Sequence, residues 1–266
     1  MHCIMEFTFS PALTLSGFVV GALVGLTGVG GGSLMTPLLV LLFGFKPATA
    51  VGTDLLYAAI TKGGGSLIHH GHGHIDWGIT GRLALGSVPA ALVTLVVLGR
   101  MGVQDHGASG LISVALGIAL LLTAASLIFR QRLLEFARSR RQHPPSAART
   151  ATLTIIVGVI LGALVTISSV GAGALGVTAL CFLYPDLPIR RIVGSDIAHA
   201  VPLTLVAGIG HWWLGTVDFG LLGALLLGSL PGIAIGSHLS TKVPERALRH
   251  LLAFVLLFIG GKLILA

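Results

Sequence analysis

Charged residues are scarce in this sequence: its 266 residues include 16 lysines and arginines and 9 aspartates and glutamates. They make up 9% of the chain, whereas a soluble domain has about 25%. Hydrophobic residues make up 54%, and the mean hydropathy is +0.98. A membrane-spanning helix needs about 20 mostly apolar residues, and the long apolar runs here do not alternate as barrel strands do. The sequence therefore predicts an all-α polytopic membrane protein and excludes an ordinary soluble domain.

Cysteine is almost absent, since Cys3 and Cys181 are the two in the chain. Neither a disulfide framework nor a cysteine metal site is predicted. Residues 1–6 lack the basic region of a cleavable signal peptide, so the first apolar run is expected to remain as a helix. The net charge of +7 does not indicate a nucleic-acid partner, because half of the arginines lie in one short stretch. These six are expected to lie against anionic lipid: Arg130, Arg132, Arg138, Arg140, Arg141 and Arg149.

Ten apolar segments are separated by short polar turns. They cover residues 10–28, 33–44, 48–69, 77–99, 108–129, 151–168, 174–184, 189–212, 219–238 and 246–265. Two of them, 33–44 and 174–184, are short for a full crossing, and each follows a glycine cluster. We therefore predict a first membrane repeat over 1–129, an arginine-rich cytoplasmic linker over 130–150, and a second membrane repeat over 151–266.

The two halves are related by an internal duplication. Adding 142 to a number between 51 and 91 gives its counterpart, and 14 of these 41 positions are identical. Gly52-Thr53-Asp54 thus corresponds to Gly194-Ser195-Asp196, and His69 to His211. Asp76-Trp77-Gly78 corresponds to Asp218-Phe219-Gly220, and Gly86-Ser87-Val88-Pro89 to Gly228-Ser229-Leu230-Pro231. The glycine clusters align at an offset of 141.

The positive charges favour inverted repeats. Five crossings per half invert the second repeat, and with the linker inside, Arg190, Arg191 and the loop at 242–249 also lie inside, as cytoplasmic loops require. Lys46 and Arg100 are exceptions on the outer side. Four crossings per half, with the glycine clusters as re-entrant turns, give parallel repeats but place the basic loop at 242–249 outside. Inverted repeats are the better prediction.

Paired, glycine-broken helices in a duplicated membrane fold are typical of secondary transporters, which bind substrate near the midplane at such breaks. The N-terminal end of a helix has unpaired N–H groups and a partial positive charge, both of which attract an anion. Close helix packing by small residues is the alternative explanation for the glycines. The residues expected at an anion site are Thr27, Gly30, Gly31, Gly32, Ser33, Lys62, Ser168, Ser169, Gly171, Ala172 and Gly173.

Charged groups inside apolar segments are costly and indicate function. Asp54 and Asp196 are repeat mates near the starts of their helices, where capping is an equally good explanation. Lys62 lies at mid-helix, about 12 Å along the axis from Asp54, and corresponds to the neutral Thr204. It is predicted to attract an anion or to act as a counter-ion for Asp54. His199 shares a face with Asp196, so Asp54, Asp196 and His199 are the predicted proton carriers, with an interior structural histidine as the alternative for the last.

The segment from His69 to His74 contains four histidines. Such a loop can bind Zn²⁺ or Cu²⁺, but Asp76 is the one nearby carboxylate, and a solvated polar turn is the simpler interpretation. We predict no metal site and no cofactor.

These motifs resemble the TauE/SafE family of bacterial membrane proteins over essentially the whole chain apart from the linker. The resemblance rests on Gly25-Leu26-Thr27-Gly28-Val29-Gly30-Gly31-Gly32, Pro37, Ala50-Val51-Gly52-Thr53-Asp54, His74-Ile75-Asp76-Trp77 and Gly86-Ser87-Val88-Pro89. In the second half it rests on Ser168-Ser169-Val170-Gly171-Ala172-Gly173 and Val193-Gly194-Ser195-Asp196. The family implies export of sulfite, sulfoacetate or related organosulfur anions, driven by ion gradients. Many members have serine at the positions of Asp54 and Asp196, which indicates a subgroup with its own coupling or substrate chemistry.

The sequence thus predicts a multi-pass transporter of the bacterial inner membrane that moves a small sulfur-containing anion, coupled to a proton gradient by rocking of one repeat against the other. A divalent-cation transporter that uses the histidine loop is the second reading. An intramembrane enzyme is the third, although neither a His-Glu-x-x-His nor a Gly-x-Ser-x-Gly pattern is present. The expected partners are the anion and membrane lipid. The oligomeric state stays open, a homodimer included.

Overall fold

The computed structural model describes residues 11–27, 32–71, 73–102, 106–139, 146–239 and 245–265. These residues form ten α-helices and no strand, as the ten apolar segments predict. The helices are α1 (Pro11–Thr27), α2 (Gly32–Leu41), α3 (Pro47–Gly71), α4 (Trp77–Met101), α5 (His106–Ser139), α6 (Ala147–Ser168), α7 (Ala174–Leu183), α8 (Ile189–Trp213), α9 (Phe219–Leu239) and α10 (Glu245–Leu265).

The helix lengths fit a multi-pass membrane protein. Five helices within the described ranges are long and apolar enough to cross a bilayer: α4, α5 over Gly110–Arg132, α6, α8 and α9. The helices α2 and α7 have ten residues each, so each spans about 15 Å, half of a hydrocarbon core of roughly 30 Å. This confirms the prediction that the segment after each glycine cluster is short.

Two helices extend beyond their apolar segments. The helix α3 continues to Gly71. His69 and His70 were expected in a loop but lie in the last turn of this helix, where basic side chains are favourable. The helix α5 continues to Ser139, and the first part of the predicted linker is therefore helical. Arginine, leucine, glutamine and glutamate in this stretch are good helix formers.

Apolar side chains cover much of the outside of the molecule, and small polar ones lie inside. Leu67, Val93 and Phe254 are 74%, 65% and 70% exposed, whereas Ser87 and Thr166 are fully buried. A soluble protein seldom exposes a continuous apolar surface. The exposed leucine, valine and phenylalanine side chains are suited to lipid contact.

Glycines allow two pairs of helices to touch backbone to backbone. On α1, Gly17, Gly21 and Gly25 lie every fourth residue, and a Cβ at any of them would collide with the backbone of α9. Three glycines of α9 lie equally close to α1, and a Cβ at any of them would collide with the α1 backbone: Gly228, Gly232 and Gly236. Small residues at this spacing are typical of close helix packing in membranes. Close helix packing is therefore the role of these six glycines, none of which belongs to the glycine clusters before α2 and α7.

The second glycine pair joins α4 to α6. Gly158 and Gly162 of α6 lie against the backbone of Leu83 and Ser87, and Gly86 of α4 lies against Ile155. Because α6 corresponds to α1 and α4 corresponds to α9, the two pairs are repeat-related. In each pair the residue numbers of both helices rise together, so the partners are parallel. The halves of the sequence are therefore interleaved: each repeat packs a helix on the first helix of the other.

The repeat mates α3 and α8 form an antiparallel pair. Gly52, near the start of α3, packs against Thr216, which follows α8; Gly194, near the start of α8, packs against His74, which follows α3. The N–H of Asp218 donates a 3.0 Å hydrogen bond to the hydroxyl of Thr53. Its repeat counterpart is the 2.8 Å bond from the N–H of Asp76 to Ser195 Oγ. These crossed contacts position the middle of both helices beside residues 169–173, which separate α6 from α7 and are called the second glycine break below.

Candidate functional site

The second glycine break interrupts the helical structure in the interior of the protein. The helix α6 ends at Ser168, α7 begins at Ala174, and the residues between them are buried. Gly171 and Gly173 have φ values of 124° and 131°, which L side chains rarely adopt, so glycine is required there. The hydroxyl of Ser168 accepts a 3.2 Å bond from the N–H of Val170 and so stabilises the turn.

The side chain of Lys62 reaches this break from α3. It is 9% exposed, and its ammonium donates a 3.1 Å hydrogen bond to the carbonyl oxygen of Ala172. The structure therefore brings together the mid-helix lysine and the glycine break, which are 110 residues apart in sequence. A buried ammonium needs compensating charge, and the negative charges of the buried Asp54 and Asp196 act on it.

The carboxylate of Asp196 packs against the backbone of Gly176, in the first turn of α7. The charges of Asp196 and Asp54 both act on the ammonium of Lys62. The N–H of Gly173 faces the Asp196 carboxylate, and a Cβ at Gly176 would collide with it. Neither carboxylate oxygen has a hydrogen-bond partner within the described part of the chain. Asp196 is therefore a buried carboxylate that has lost its water without gaining a hydrogen bond from the described residues.

The carboxylate of Asp54 has a different partner. Its Oδ2 accepts a 2.5 Å hydrogen bond from the hydroxyl of Thr36, in α2. The N–H of Thr36 and the hydroxyl of Ser169 also face Asp54. Asp54 is fully buried.

The capping explanation for the two aspartates is wrong. The helices begin at Pro47 and Ile189, so Asp54 and Asp196 each lie in the second turn, seven residues downstream. Their carboxylates face the neighbouring short helices α2 and α7. The aspartates that do cap helices are Asp76 and Asp218: Asp76 accepts from the N–H groups of Gly78 and Ile79, and Asp218 accepts from the N–H of Leu221.

His199 lies one turn after Asp196 and is fully buried. Its Nε2 is 2.8 Å from the hydroxyl of Ser87, in α4. The other ring nitrogen, Nδ1, has no hydrogen-bond partner among the residues that the structure describes. The repeat counterparts of His199 and Ser87 are Tyr57 and Ser229, so tyrosine takes the place of the histidine in the first repeat.

The first glycine break lies between α1 and α2, and the structure describes only the helix ends on either side of it. Thr27 is the last residue of α1, and α2 begins with Gly32 and Ser33. Gly30 and Gly31 lie outside the described residues. The position of α2 follows the prediction, and its Thr36 and Met35 correspond to Val177 and Gly176 of α7.

Comparison with known proteins agrees with this architecture. The family model described as "Sulfite exporter TauE/SafE" matches residues 13–263, almost the whole chain. The chain belongs to the TauE/SafE family.

Named relatives of this TauE/SafE chain are described as membrane transporters. The probable membrane transporter protein YjnA of Bacillus subtilis is 42% identical over 255 residues, which cover 96% of this chain and 100% of that protein. The probable membrane transporter protein YdhB of the same organism is 28% identical over 252 residues, 93% of this chain and 97% of its own length. A probable membrane transporter of Methanocaldococcus jannaschii is 24% identical over 276 aligned positions, 96% of this chain and 97% of its own. No solved structure matches the chain.

Three residues of the site in this TauE/SafE protein are absent from the sequence prediction. Thr36 binds Asp54, Ser87 binds His199, and Gly176 leaves room for the Asp196 carboxylate. Ser87 could have been found from the duplication. It is a serine in both repeats, as Ser87 and Ser229, and the residues that these two serines accompany, His199 and Tyr57, are also repeat counterparts. For Thr36 and Gly176 the signal is a difference between the repeats. Thr36 of α2 corresponds to Val177 of α7, and Met35 of α2 corresponds to Gly176 of α7.

The described histidines at the end of α3 contact aromatic rings. His70 packs against Trp77 with ring centroids 5.7 Å apart, and His74 lies 5.9 Å from His69. Within the described ranges, no group of three or more histidine, cysteine, aspartate or glutamate side chains is placed to hold a metal ion. His72 lies outside those ranges.

The arrangement places several ionisable groups together inside an apolar environment, where they can bind an anion or a proton. One buried ammonium lies under the influence of two buried carboxylates, the N–H of Gly173 at the second break faces Asp196, and His199 lies one turn after Asp196. Such a cluster can bind an anion or a proton, because either one changes the balance of charge around Lys62.

Proposed function

We propose that this TauE/SafE protein is a secondary transporter that moves a small sulfur-containing anion, sulfite or a sulfonate such as sulfoacetate, across the bacterial inner membrane. Transport is coupled to a proton gradient. The family description, which names sulfite export, supports the choice of anion. The relatives named as membrane transporters support transport over catalysis.

One observation supports the anion site above all: the ammonium of Lys62 is buried at the glycine break. Lysine is almost never fully buried without a partner, and charge at mid-membrane is retained for function. The ammonium lies beside the N-terminal end of α7, whose partial positive charge adds to its own. We place the anion between Lys62 and this helix end. Ser168, Ser169, Gly171, Ala172 and Gly173 would form the wall on one side. The first break, whose described ends are Thr27 of α1 and Gly32 and Ser33 of α2, would lie on the other.

We also propose that the two repeats are inverted. The antiparallel packing of the repeat mates α3 and α8 supports inversion, because parallel repeats would make corresponding helices parallel. Two repeat-related aromatic pairs also fit this arrangement. His70 packs edge-on against Trp77, and Trp212 packs edge-on against Phe219. Tryptophan is favoured at membrane interfaces, so the two pairs would mark opposite faces of the bilayer.

The glycine contacts change the expected motion. Because α1 packs on α9 and α6 packs on α4, a rigid body that rocks contains helices of both halves. We propose that one body holds α1 and α9 and the other holds α4 and α6. The central helices α3 and α8 would then slide between them to open the site alternately to each side.

Flux of labelled sulfite into proteoliposomes tests the proposal. The purified protein should give flux above that of empty vesicles, and the flux should respond to an imposed proton gradient and be competed by sulfoacetate. Lys62→Ala should remove most of the flux. Lys46→Ala is the matched control, because Lys46 is an exposed lysine before α3 and its loss should have little effect.

Two outcomes would contradict the proposal. Equal flux in Lys62→Ala and Lys46→Ala would remove Lys62 from the site. No anion flux, together with uptake of Zn²⁺ or Mn²⁺ that is lost on replacement of His70, His72 and His74, would favour the divalent-cation transporter instead.

A further inference from the structure

We propose that His211 of α8 is a positioning residue for the anion site: it caps the end of α6 from a neighbouring helix and so holds the second glycine break in the shape that binds the anion. The first part of this inference concerns the structure of the break and is independent of any substrate. The second part, the effect on anion affinity, rests on the proposed function.

The second glycine break deprives a carbonyl group at the end of α6 of its helical donor. In a continued helix the N–H of Val170 would bond to the carbonyl oxygen of Thr166, four residues earlier. Here the chain turns at Ser169, which has a φ of 58°, and the N–H of Val170 bonds to the hydroxyl of Ser168 instead. The last carbonyls of a helix need other donors, and a buried carbonyl without one is unfavourable.

The imidazole of His211 supplies this donor. Its Nε2 lies 3.0 Å from the carbonyl oxygen of Thr166, and His211 is fully buried. A carbonyl oxygen only accepts hydrogen bonds, so Nε2 carries the hydrogen. Histidine near the C-terminus of a helix can bond to the last carbonyls of that helix. Here the histidine comes from a different helix, 45 residues further along the chain.

The other ring nitrogen of His211 is also bonded. Nδ1 lies 2.9 Å from the hydroxyl of Thr216, just after the end of α8. The same hydroxyl lies 2.9 Å from the carbonyl oxygen of His211, and the N–H of Thr216 donates to that oxygen at 3.0 Å. With a partner at each nitrogen the ring is held in one orientation, as a residue that positions another group must be.

Gly52 of α3 leaves room for this arrangement. A Cβ atom at Gly52 would lie 2.8 Å from the carbonyl and hydroxyl oxygens of Thr216 and 3.1 Å from the Cβ of His211. A larger residue there would displace the end of α8 from its place beside α6. The packing of His211 and Thr216 therefore explains the glycine that precedes Thr53 and Asp54 in the duplicated motif.

The first repeat has a different residue in the place of Thr216. His69 corresponds to His211, and the N–H of His74 donates to the carbonyl oxygen of His69 at 3.0 Å, as Thr216 does to His211. A second imidazole, 5.9 Å from that of His69, thus takes the place of the hydroxyl. The threonine that orients the ring is therefore specific to the second repeat, whose break also receives Lys62.

Two side chains from distant parts of the sequence hold the second break, one on each side. His211 bonds to the carbonyl oxygen of Thr166, before the break, and Lys62 bonds to that of Ala172, within it. Ser168 and Ser169, in the proposed wall of the anion site, lie between these two points. Without the imidazole the Thr166 carbonyl would be buried without its donor, and openings of the break that bring water to it would become more frequent.

Hydrogen exchange followed by mass spectrometry, on purified protein in detergent, tests the structural part. In His211→Leu, which cannot donate, the peptide that covers residues 166–176 should exchange several-fold faster than in the wild-type protein, whereas peptides from α1 and α9 should not change. In His211→Gln the side-chain amide can donate, so exchange should be slower than in His211→Leu. His238→Leu is the control, because His238 is exposed in the last turn of α9; its exchange at the break should equal that of the wild-type protein.

Sulfite flux in proteoliposomes tests the effect on anion affinity. His211→Leu should raise the KM for sulfite about tenfold, as expected when a buried carbonyl loses its donor, with a smaller change in the maximal rate. His211→Gln should recover part of this loss. Thr216→Val should raise the KM less than His211→Leu does, and should add little to it in the double variant, because both changes act through the same ring.

The results separate this inference from the proposed function. Unchanged exchange of residues 166–176 in His211→Leu overturns the inference, and so does faster exchange throughout the protein, which would indicate a general structural role. If His211→Leu does not fold, Thr216→Val, which keeps the imidazole, takes its place in the comparison. Faster exchange at the break with an unchanged KM overturns the effect on the anion site. Wild-type protein without sulfite flux overturns the proposed function, and the exchange measurement still decides whether His211 holds the break.

Discussion

The carboxylate of Asp196 lies directly against the backbone of Gly176, in the space where any larger residue would place its Cβ atom. The corresponding residue of the first repeat is Met35, which is fully buried. Asp54 instead reaches the next residue of that helix, Thr36, and accepts a hydrogen bond from it. Two aspartates at equivalent positions therefore meet different surfaces of equivalent helices.

Gly176→Ala should impair transport. The added methyl group displaces the Asp196 carboxylate from α7, and such overpacking costs about 1–3 kcal/mol of the free energy of unfolding. Sulfite flux in proteoliposomes and thermal unfolding in detergent should both fall. Gly261→Ala is the control, because nothing lies within 4 Å of that position on α10; it should leave flux unchanged and gain up to about 1 kcal/mol from helix propensity. Wild-type flux in Gly176→Ala would show that Asp196 is not held there.

Thr36→Val should destabilise the protein by removing the donor to Asp54. A hydrogen bond to a charged group contributes about 1.5–3 kcal/mol, and the buried carboxylate is left less compensated. Chemical unfolding in detergent measures the loss. Thr152→Val is the matched control, since the exposed Thr152 hydroxyl bonds to the backbone of its own helix. Equal stability of the two variants would contradict the assigned role of Thr36.

Gly21→Leu should prevent correct folding. Gly21 touches the backbone of Ser229, so a leucine side chain forces α1 and α9 apart at a cost of about 3 kcal/mol or more. Gly81→Leu, on the outer face of α4 with nothing within 4 Å, is the control and should be tolerated. The amount of monodisperse protein recovered after extraction is the measurement. Equal yields from both variants would mean that the α1–α9 contact does not hold the fold together.

Inverted repeats predict that Lys46 and Arg190 lie on opposite sides of the membrane. Both side chains are exposed, each shortly before or at the start of a repeat-related helix. In a background with Cys3 and Cys181 changed to serine, a cysteine at Lys46 should react with a membrane-impermeant maleimide added to intact cells. A cysteine at Arg190 should react only after permeabilisation. Labelling of both from one side would support parallel repeats.

The helix pattern could be predicted from the sequence because membrane helices are apolar and limited in length. All ten segments and both short helices were predictable in this way, with α3 and α5 longer than expected. Hydropathy does not show where a helix ends once it leaves the apolar region, since good helix formers such as those near Arg132 continue it.

The candidate site was predictable only in part, because contacts between distant helices leave little trace in one sequence. The duplication and the cost of buried charge single out Lys62, Asp54 and Asp196. Which group faces which depends on packing: Lys62 bonds to Ala172, 110 residues away. The contribution of Thr36 depends on an ordinary threonine in a short helix, and no local pattern distinguishes it.

The crossed glycine contacts bear on how such a protein could have arisen. A single half, alone in a bilayer, would leave the glycine face of its first helix uncovered, because the covering helix belongs to the other half. With the repeats inverted as proposed, an ancestral half-length chain would have needed a second copy inserted in the opposite orientation, that is, a dual-topology homodimer. Fusion of the two copies through a basic linker would have fixed one orientation for each, after which Lys62, Thr36 and His199 could differ from Thr204, Val177 and Tyr57.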